Sequence, residues 1–140
     1  HDVLRKSGVE MVVNAHAEQG MGHSIACGVD ATQASTGWCI LPADMPAILP
    51  ATTNSIVQAL RGGAPLVAPV HRGHRGHPVG FGSVFKHDLM MLTGDGGARS
   101  ILDAHQHQLQ SLKVEDAGIL LDIDTPDQLR KQGGCRAVVE

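Results

Sequence analysis

Aromatic side chains are nearly missing from this chain: its 140 residues include no Tyr, one Trp and two Phe. With so little stacking surface, and a net charge of -3 that exerts no pull on phosphate backbones, general nucleic-acid binding is disfavoured. Cysteine is scarce as well. Cys27, Cys39 and Cys135 are odd in number, far apart and form no C-x2-C pair, so neither a disulfide framework nor a thiolate zinc site is expected. Cys27 and Cys39 read instead as small buried apolar residues. No apolar run approaches the roughly 20 residues that a membrane span needs, and the opening HDVLRKSGVE holds no signal-peptide core. The expectation is a cytoplasmic protein with no membrane and no nucleic-acid partner. Hydrophobic residues at 42% and charged residues at 18% exclude low-complexity disorder, and the length indicates a single domain over residues 1–140.

Short apolar runs alternate with helical patterns along the chain. Met11-Val12-Val13 reads as a strand ending at Asn14, followed by a polar, glycine-bearing loop. Ser24 is placed to cap a short helix through Ile25, Ala26 and Val29. Trp38-Cys39-Ile40-Leu41 lacks polar alternation, as in a strand covered on both faces within a parallel sheet. Pro50 opens a helix whose Ile56, Val57 and Leu60 share a face, and Gly62-Gly63 stops it. Leu66 to Val70 is the next buried strand, with Pro69 marking its edge or its end. Val79 and Phe81 alternate with glycines in another strand. Val84, Phe85, Leu89 and Leu92 then recur at helical spacing, with Met90 and Met91 beside them as core. A helix over Ala98 to His105 and strands over Leu109 to Val114 and Gly118 to Ile123 follow. Thr125 and Gln128 form a capping box for a last helix that runs to Lys131. This order predicts an α/β layer structure around a mostly parallel sheet.

Two acidic positions follow apolar strands directly: Asp44 after WCILPA, and Asp122 and Asp124 at the end of GILLDI. Ligands of open α/β sheets collect outside the carboxyl ends of the strands, and hard oxygen donors there suit Mg²⁺, which takes only one or two protein carboxylates. The plainer alternatives are an Asx turn at Asp44 and a charged helix start at Asp122 and Asp124. Between Asp44 and Asp88 there is no carboxylate, while Arg61, Arg72, Arg75 and Lys86 lie in that stretch. Arg72 and Arg75, with His71, His74 and His77, suit an anionic group, a phosphorylated substrate being the natural candidate; the alternative is a solvated loop. Zinc at these histidines is the weakest option, because an extended glycine-rich loop does not hold three imidazoles convergent. Gly20-Met21-Gly22-His23-Ser24 is a third candidate, a glycine turn feeding a helix amino terminus. No Walker loop, dinucleotide fingerprint or nucleophile elbow is present.

GMGHSIACGV, LPADMP, RGHPVGFG, LTGDGGARSIL and DIDTPDQL, in this order and spacing, resemble the molybdenum cofactor nucleotidyltransferases, in particular their cytidylyltransferase-like branch. The likeness runs from about Val9 to Arg130. It implies a Rossmann-like nucleotidyltransferase fold, three-layered with a mostly parallel sheet. It also implies an Mg²⁺-dependent enzyme that transfers a nucleotide, CMP from CTP in this branch, to the phosphate of molybdopterin and releases pyrophosphate. On the resemblance Asp44 and Asp124 are the catalytic, metal-holding acids. Gly22, His23 and Ser24 lie along the nucleotide, and Arg72, Arg75, Gly76, His77 and Pro78 face the molybdopterin-like acceptor. The family's opening strand, its L-A-A-G-x-S-x-R-M-G loop and its lysine have no counterpart in this sequence. The expectation is therefore the C-terminal two-thirds of a nucleotidyltransferase-like domain, lacking the N-terminal strands and part of a longer polypeptide. The alternative is a catalytically silent nucleotide- or cofactor-binding protein serving a partner molybdoenzyme.

Overall fold

The computed structural model describes residues 8–122, which fall into two compact units: residues 8–35 with 84–106, and residues 36–83 with 107–122. The expected final helix lies outside the described residues. No helix among the described residues is long and apolar enough to cross a membrane.

The second unit is built on a five-stranded sheet of β1 (Gly37–Ile40), β2 (Leu66–His71), β3 (His74–Arg75), β4 (Val79–Gly82) and β5 (Leu109–Lys113). β2 and β5 pair in parallel, from Leu66 opposite Leu109 to Val70 opposite Lys113. β4 lies between β1 and β2 and runs antiparallel to both, with Trp38 and Leu66 each opposite Phe81. β1, β2 and β5 therefore point the same way. The parallel expectation holds for the direction of these three strands, while the pairings through β4 and β3 are antiparallel.

Pro69 sits fully buried inside β2 rather than at its end. In extended backbone the N–H and C=O of one residue point to the same side, and the Pro69 carbonyl accepts from Gly76 N–H at 2.9 Å. The missing N–H thus faces the gap where β4 has paired only Leu66 and Val67 and β3 only Val70 and His71, so no ladder bond is lost.

Helix α2 (Pro50–Arg61) packs on β1, β2 and β4. A Cβ on Gly80 of β4 would stand 2.8 Å from Ile56 Cγ2 and 2.9 Å from Leu60 Cδ1, so the glycine admits the helix against the sheet. Gly62 ends α2 with its N–H on the Gln58 carbonyl, and Gly63 turns away at φ 101°. Ile56, Leu66, Val67, Ala68, Val79, Phe81 and Ile119 form the buried core of this unit.

In the first unit α1 (Met21–Asp30) packs against α3 (Lys86–Met90), and α4 (Arg99–Ala104) follows. Ala26, Val29, Phe85, Leu89, Leu92, Ile101 and Leu102 are buried apolar residues of this unit. Leu89 and Leu92 lie in the core as expected and Met90 is half-buried, but Met91, expected beside them, is 67% exposed.

Two expected strands are replaced. Residues 9–14 pair with no strand among the described residues, and Val13 is 75% exposed, because no neighbouring ladder receives the run. The expected strand from Gly118 does not extend within the described residues either: Ala117–Leu120 is a 3-10 turn, started by the Asp116 carboxylate accepting from Gly118 N–H at 3.0 Å. A local cap and the burial of Ile119 outweigh the strand propensity of an apolar run.

Candidate functional site

The carboxyl ends of β1 and β2 carry the candidate residues of the second unit. Asp44 lies in the turn after β1, half-buried, and among the described residues its carboxylate makes no hydrogen bond or ion pair within protein-contact distance. Such an unengaged carboxylate has the donor chemistry of an Mg²⁺ ligand. The described residues contain no group of three or more His, Cys, Asp or Glu that could hold a metal ion. Asp122 is exposed, and Asp124 lies outside the described residues.

The basic segment is a tight hairpin where an open loop was expected. Arg72 at φ 49° and Gly73 at φ 81° make the two-residue turn between β2 and β3, the left-handed pair that matches the twist of the flanking strands. Arg72, His74 and Arg75 are exposed on it. The His71 ring is occupied, its Nδ1 donating to the Val114 carbonyl at 3.0 Å, which leaves the three histidines in separate roles.

After β3 the chain turns inward. Gly76 is buried where a Cβ would strike the Ile119 carbonyl, His77 N–H donates to Ile119 O at 3.0 Å, and Pro78 follows a cis peptide bond, fully buried. Burial holds the His77 imidazole below the usual histidine range, Asp44 pulls it back up and Arg75 pushes it further down. The Asp44 and Arg75 charges thus both act on the His77 ring.

Sequence reasoning missed the bracket behind this cluster. Asp116, only 4% exposed, accepts from Leu49 N–H at 2.9 Å, Thr52 Oγ1 at 2.6 Å and Gly118 N–H at 3.0 Å. Gly118 lies against the Ala47 carbonyl, at a distance that leaves no room for a Cβ. Residues 116–119 therefore support both the segment after Asp44 and the Gly76-His77 segment. The Asp-x-Gly spacing was the available signal, being that of an Asx turn, but the partners at Leu49 and Thr52 are set by tertiary packing.

In the first unit Gly20, at φ 96°, precedes α1, so the helix begins at Met21 and Ser24 lies in its second turn instead of at its cap. Gly22 N–H donates to the Gly94 carbonyl at 2.8 Å and Gly94 N–H to Gln19 O at 2.9 Å, which closes a backbone clasp. One of the helix's free amino-terminal N–H groups is thereby spent internally. His23 Nδ1 lies 3.0 Å from Asn14 Oδ1, and Asn14 Nδ2 donates to Ser24 Oγ at 3.0 Å.

Against known proteins, the sequence model of the MobA-like NTP transferase domain matches residues 1–109. The chain is 30% identical over 123 residues to the molybdenum cofactor cytidylyltransferase of Escherichia coli strain K12, covering 87% of this chain and 61% of that protein. It is 35% identical over 117 residues to the purine catabolism protein PucB of Bacillus subtilis strain 168, covering 80% of this chain and 55% of that one. It thus spans somewhat over half the length of these relatives. Among solved structures, Rv0371c from Mycobacterium tuberculosis H37Rv superposes with a TM-score of 0.69 at 21% identity, covering 91% of this chain and 68% of that one. The complex of Rv0371c with manganese gives 0.61 at 26% identity, over 75% and 58% of the two chains. The nucleotidyltransferase-like α/β fold expected from the sequence is the fold found.

Proposed function

Because this chain belongs to the MobA-like NTP transferase domain family, we propose that it serves an Mg²⁺-dependent transfer of CMP from CTP to the phosphate of a molybdopterin-like acceptor. The acceptor phosphate oxygen forms the new bond to the α-phosphorus, the bond from that phosphorus to the bridging oxygen breaks, and pyrophosphate leaves with its electron pair. The likeness to a molybdenum cofactor cytidylyltransferase supports the choice of reaction.

The observation that carries the reading is Asp44, a half-buried carboxylate beyond β1 with its oxygens unengaged among the described residues. It would hold the cation together with Asp124. A bound divalent ion supplies charge neutralisation for a leaving pyrophosphate, and a similar structure has been solved with manganese. Arg72 and Arg75, presented on the β2–β3 hairpin, and His77, whose ring senses the Asp44 charge, orient the anionic acceptor. Gly22, His23 and Ser24 bind the nucleotide, and Gly76 and Pro78 fix the backbone on the acceptor side by being buried.

The test is pyrophosphate release from CTP, Mg²⁺ and molybdopterin by the protein that carries this chain. Asp44→Ala lowers turnover by more than about a hundredfold, as expected when a group stabilising transferring phosphoryl charge is lost. Undiminished turnover in that variant overturns the assignment.

A further inference from the structure

Asn14 stands outside every motif singled out in the sequence, yet three bonds converge on its side chain. Its Oδ1 lies 2.9 Å from the backbone nitrogen of His16 and 3.0 Å from His23 Nδ1, and its Nδ2 lies 3.0 Å from Ser24 Oγ. A backbone N–H can only donate, so the atom facing His16 must be the amide oxygen. That fixes which way round the amide sits. The same oxygen can only accept, so His23 Nδ1 must carry a proton, and in the neutral ring Nε2 then keeps its lone pair. The remaining amide nitrogen can only donate, so Ser24 Oγ accepts from it and its own O–H proton is left to donate.

One side chain therefore sets the hydrogen-bonding sense of two neighbouring ones. The His16 ring braces the arrangement edge-on to His23, with centroids 5.6 Å apart and planes at 81°. Cys27 Sγ, 3.6 Å from the same Nδ1, is a weak acceptor and leaves the assignment unchanged.

We propose that Asn14 is a positioning residue which holds His23 in its Nδ1–H form and Ser24 as a donor, so that the pair meets a nucleotide as one acceptor beside one donor. This rests on the reading that Gly22, His23 and Ser24 bind nucleotide. An acceptor–donor pair complements an edge carrying an N–H or amino group beside a carbonyl or ring nitrogen, which is the hydrogen-bonding face of a nucleobase. With the tautomer reversed, Nε2 becomes a second donor and the match to such an edge is lost.

The experiment is long-range ¹H–¹⁵N correlation of the His23 ring at alkaline pH, alongside CTP affinity. His23 in the native sequence shows the Nδ1–H pattern. Asn14→Ala shifts it toward Nε2–H and weakens CTP by up to about tenfold, the scale of one mispaired hydrogen bond. Asn14→Asp keeps the acceptor for His16 and His23 and loses only the donor to Ser24; it retains the Nδ1–H pattern, which separates positioning from loss of fold. If His23 in the native sequence is protonated at Nε2, or if Asn14→Ala leaves the tautomer unchanged, the proposal is overturned. If the tautomer shifts but CTP affinity is unmoved in Asn14→Ala and in His23→Ala alike, the nucleotide reading of this segment fails, while Asn14's hold on His23 stands.

Discussion

The two units hold their candidate residues by different means. In the second unit, Asp44 and His77 lie in loops and Arg75 on β3, and their supports are a sheet and a buried carboxylate, Asp116, with two donors at the start of α2 and one in its own turn. In the first, Gly22, His23 and Ser24 are held by a backbone clasp to Gly94 and by one half-buried amide, Asn14. A buried charge satisfied three times ties together segments far apart in sequence, so its loss is felt throughout its unit. A clasp of main-chain bonds close to solvent opens locally. The contrast is between a site fixed by global stability and one fixed by local order.

Asp116→Ala breaks the first kind of support. It leaves Leu49 N–H, Gly118 N–H and the Thr52 hydroxyl without their acceptor, and each such buried group costs about 1 to 3 kcal/mol when unpaired. We expect a loss of about 3 kcal/mol in urea unfolding, with Asp116→Asn recovering part of it. A change below about 0.5 kcal/mol would show that the bracket does not support the fold. Gly22→Ala strikes the second kind. Its Cβ would stand 2.8 Å from the Thr93 carbonyl oxygen, and overpacking of this sort costs about 1 to 3 kcal/mol. Hydrogen exchange should quicken at the Gly22 and Gly94 amides while the β2 and β5 amides keep their protection. Equal quickening in both units would erase the distinction.

The same contrast decides what was legible in the sequence. α2 was readable from end to end, because Pro50, the Ile56 and Leu60 face and Gly62-Gly63 are local signals that agree with the tertiary outcome. So were the positions of β1, β2, β4 and β5, although burial matches the expectation only in β2 and β4: β1 buries Trp38 alone and β5 none of its residues. The failures are places where a distant partner overrode a local signal. Ser24 yielded the helix start to Gly20 because a carbonyl from Gly94 receives Gly22. The run from Gly118 to Leu120 yielded its strand to a turn because Asp116 and Ala47 shape it. Asp44 and the arginines stood out as candidates because charge and chain position mark them; Asn14 and Asp116 did not, since their hydrogen bonds exist only through partners that folding brings together.

Two half-buried histidines give the smallest and sharpest test of the difference. His23 has Nδ1 tied to Asn14, whereas His77 has a shielded Nδ1 with no hydrogen-bond partner among the described residues. His77 is lowered by burial first, with Asp44 opposing and Arg75 assisting. Folding thus disfavours its protonation: as pH falls, the unfolded chain takes up the proton before the folded one does. The contribution of neutral His77 to stability is full above the usual histidine range and is lost as pH falls through that range to the lower folded value. Replacing Asp44 by Asn removes the one charge that favours the imidazolium, so the His77 titration, followed through its ring protons by NMR, should move further down. Arg75→Ala removes a charge that opposes it and should move the titration up. His77→Asn should flatten the acid side of the stability profile. If Asp44→Asn leaves the titration in place, Asp44 and His77 do not share an electrostatic environment, and the second unit loses the coupling on which its candidate site depends.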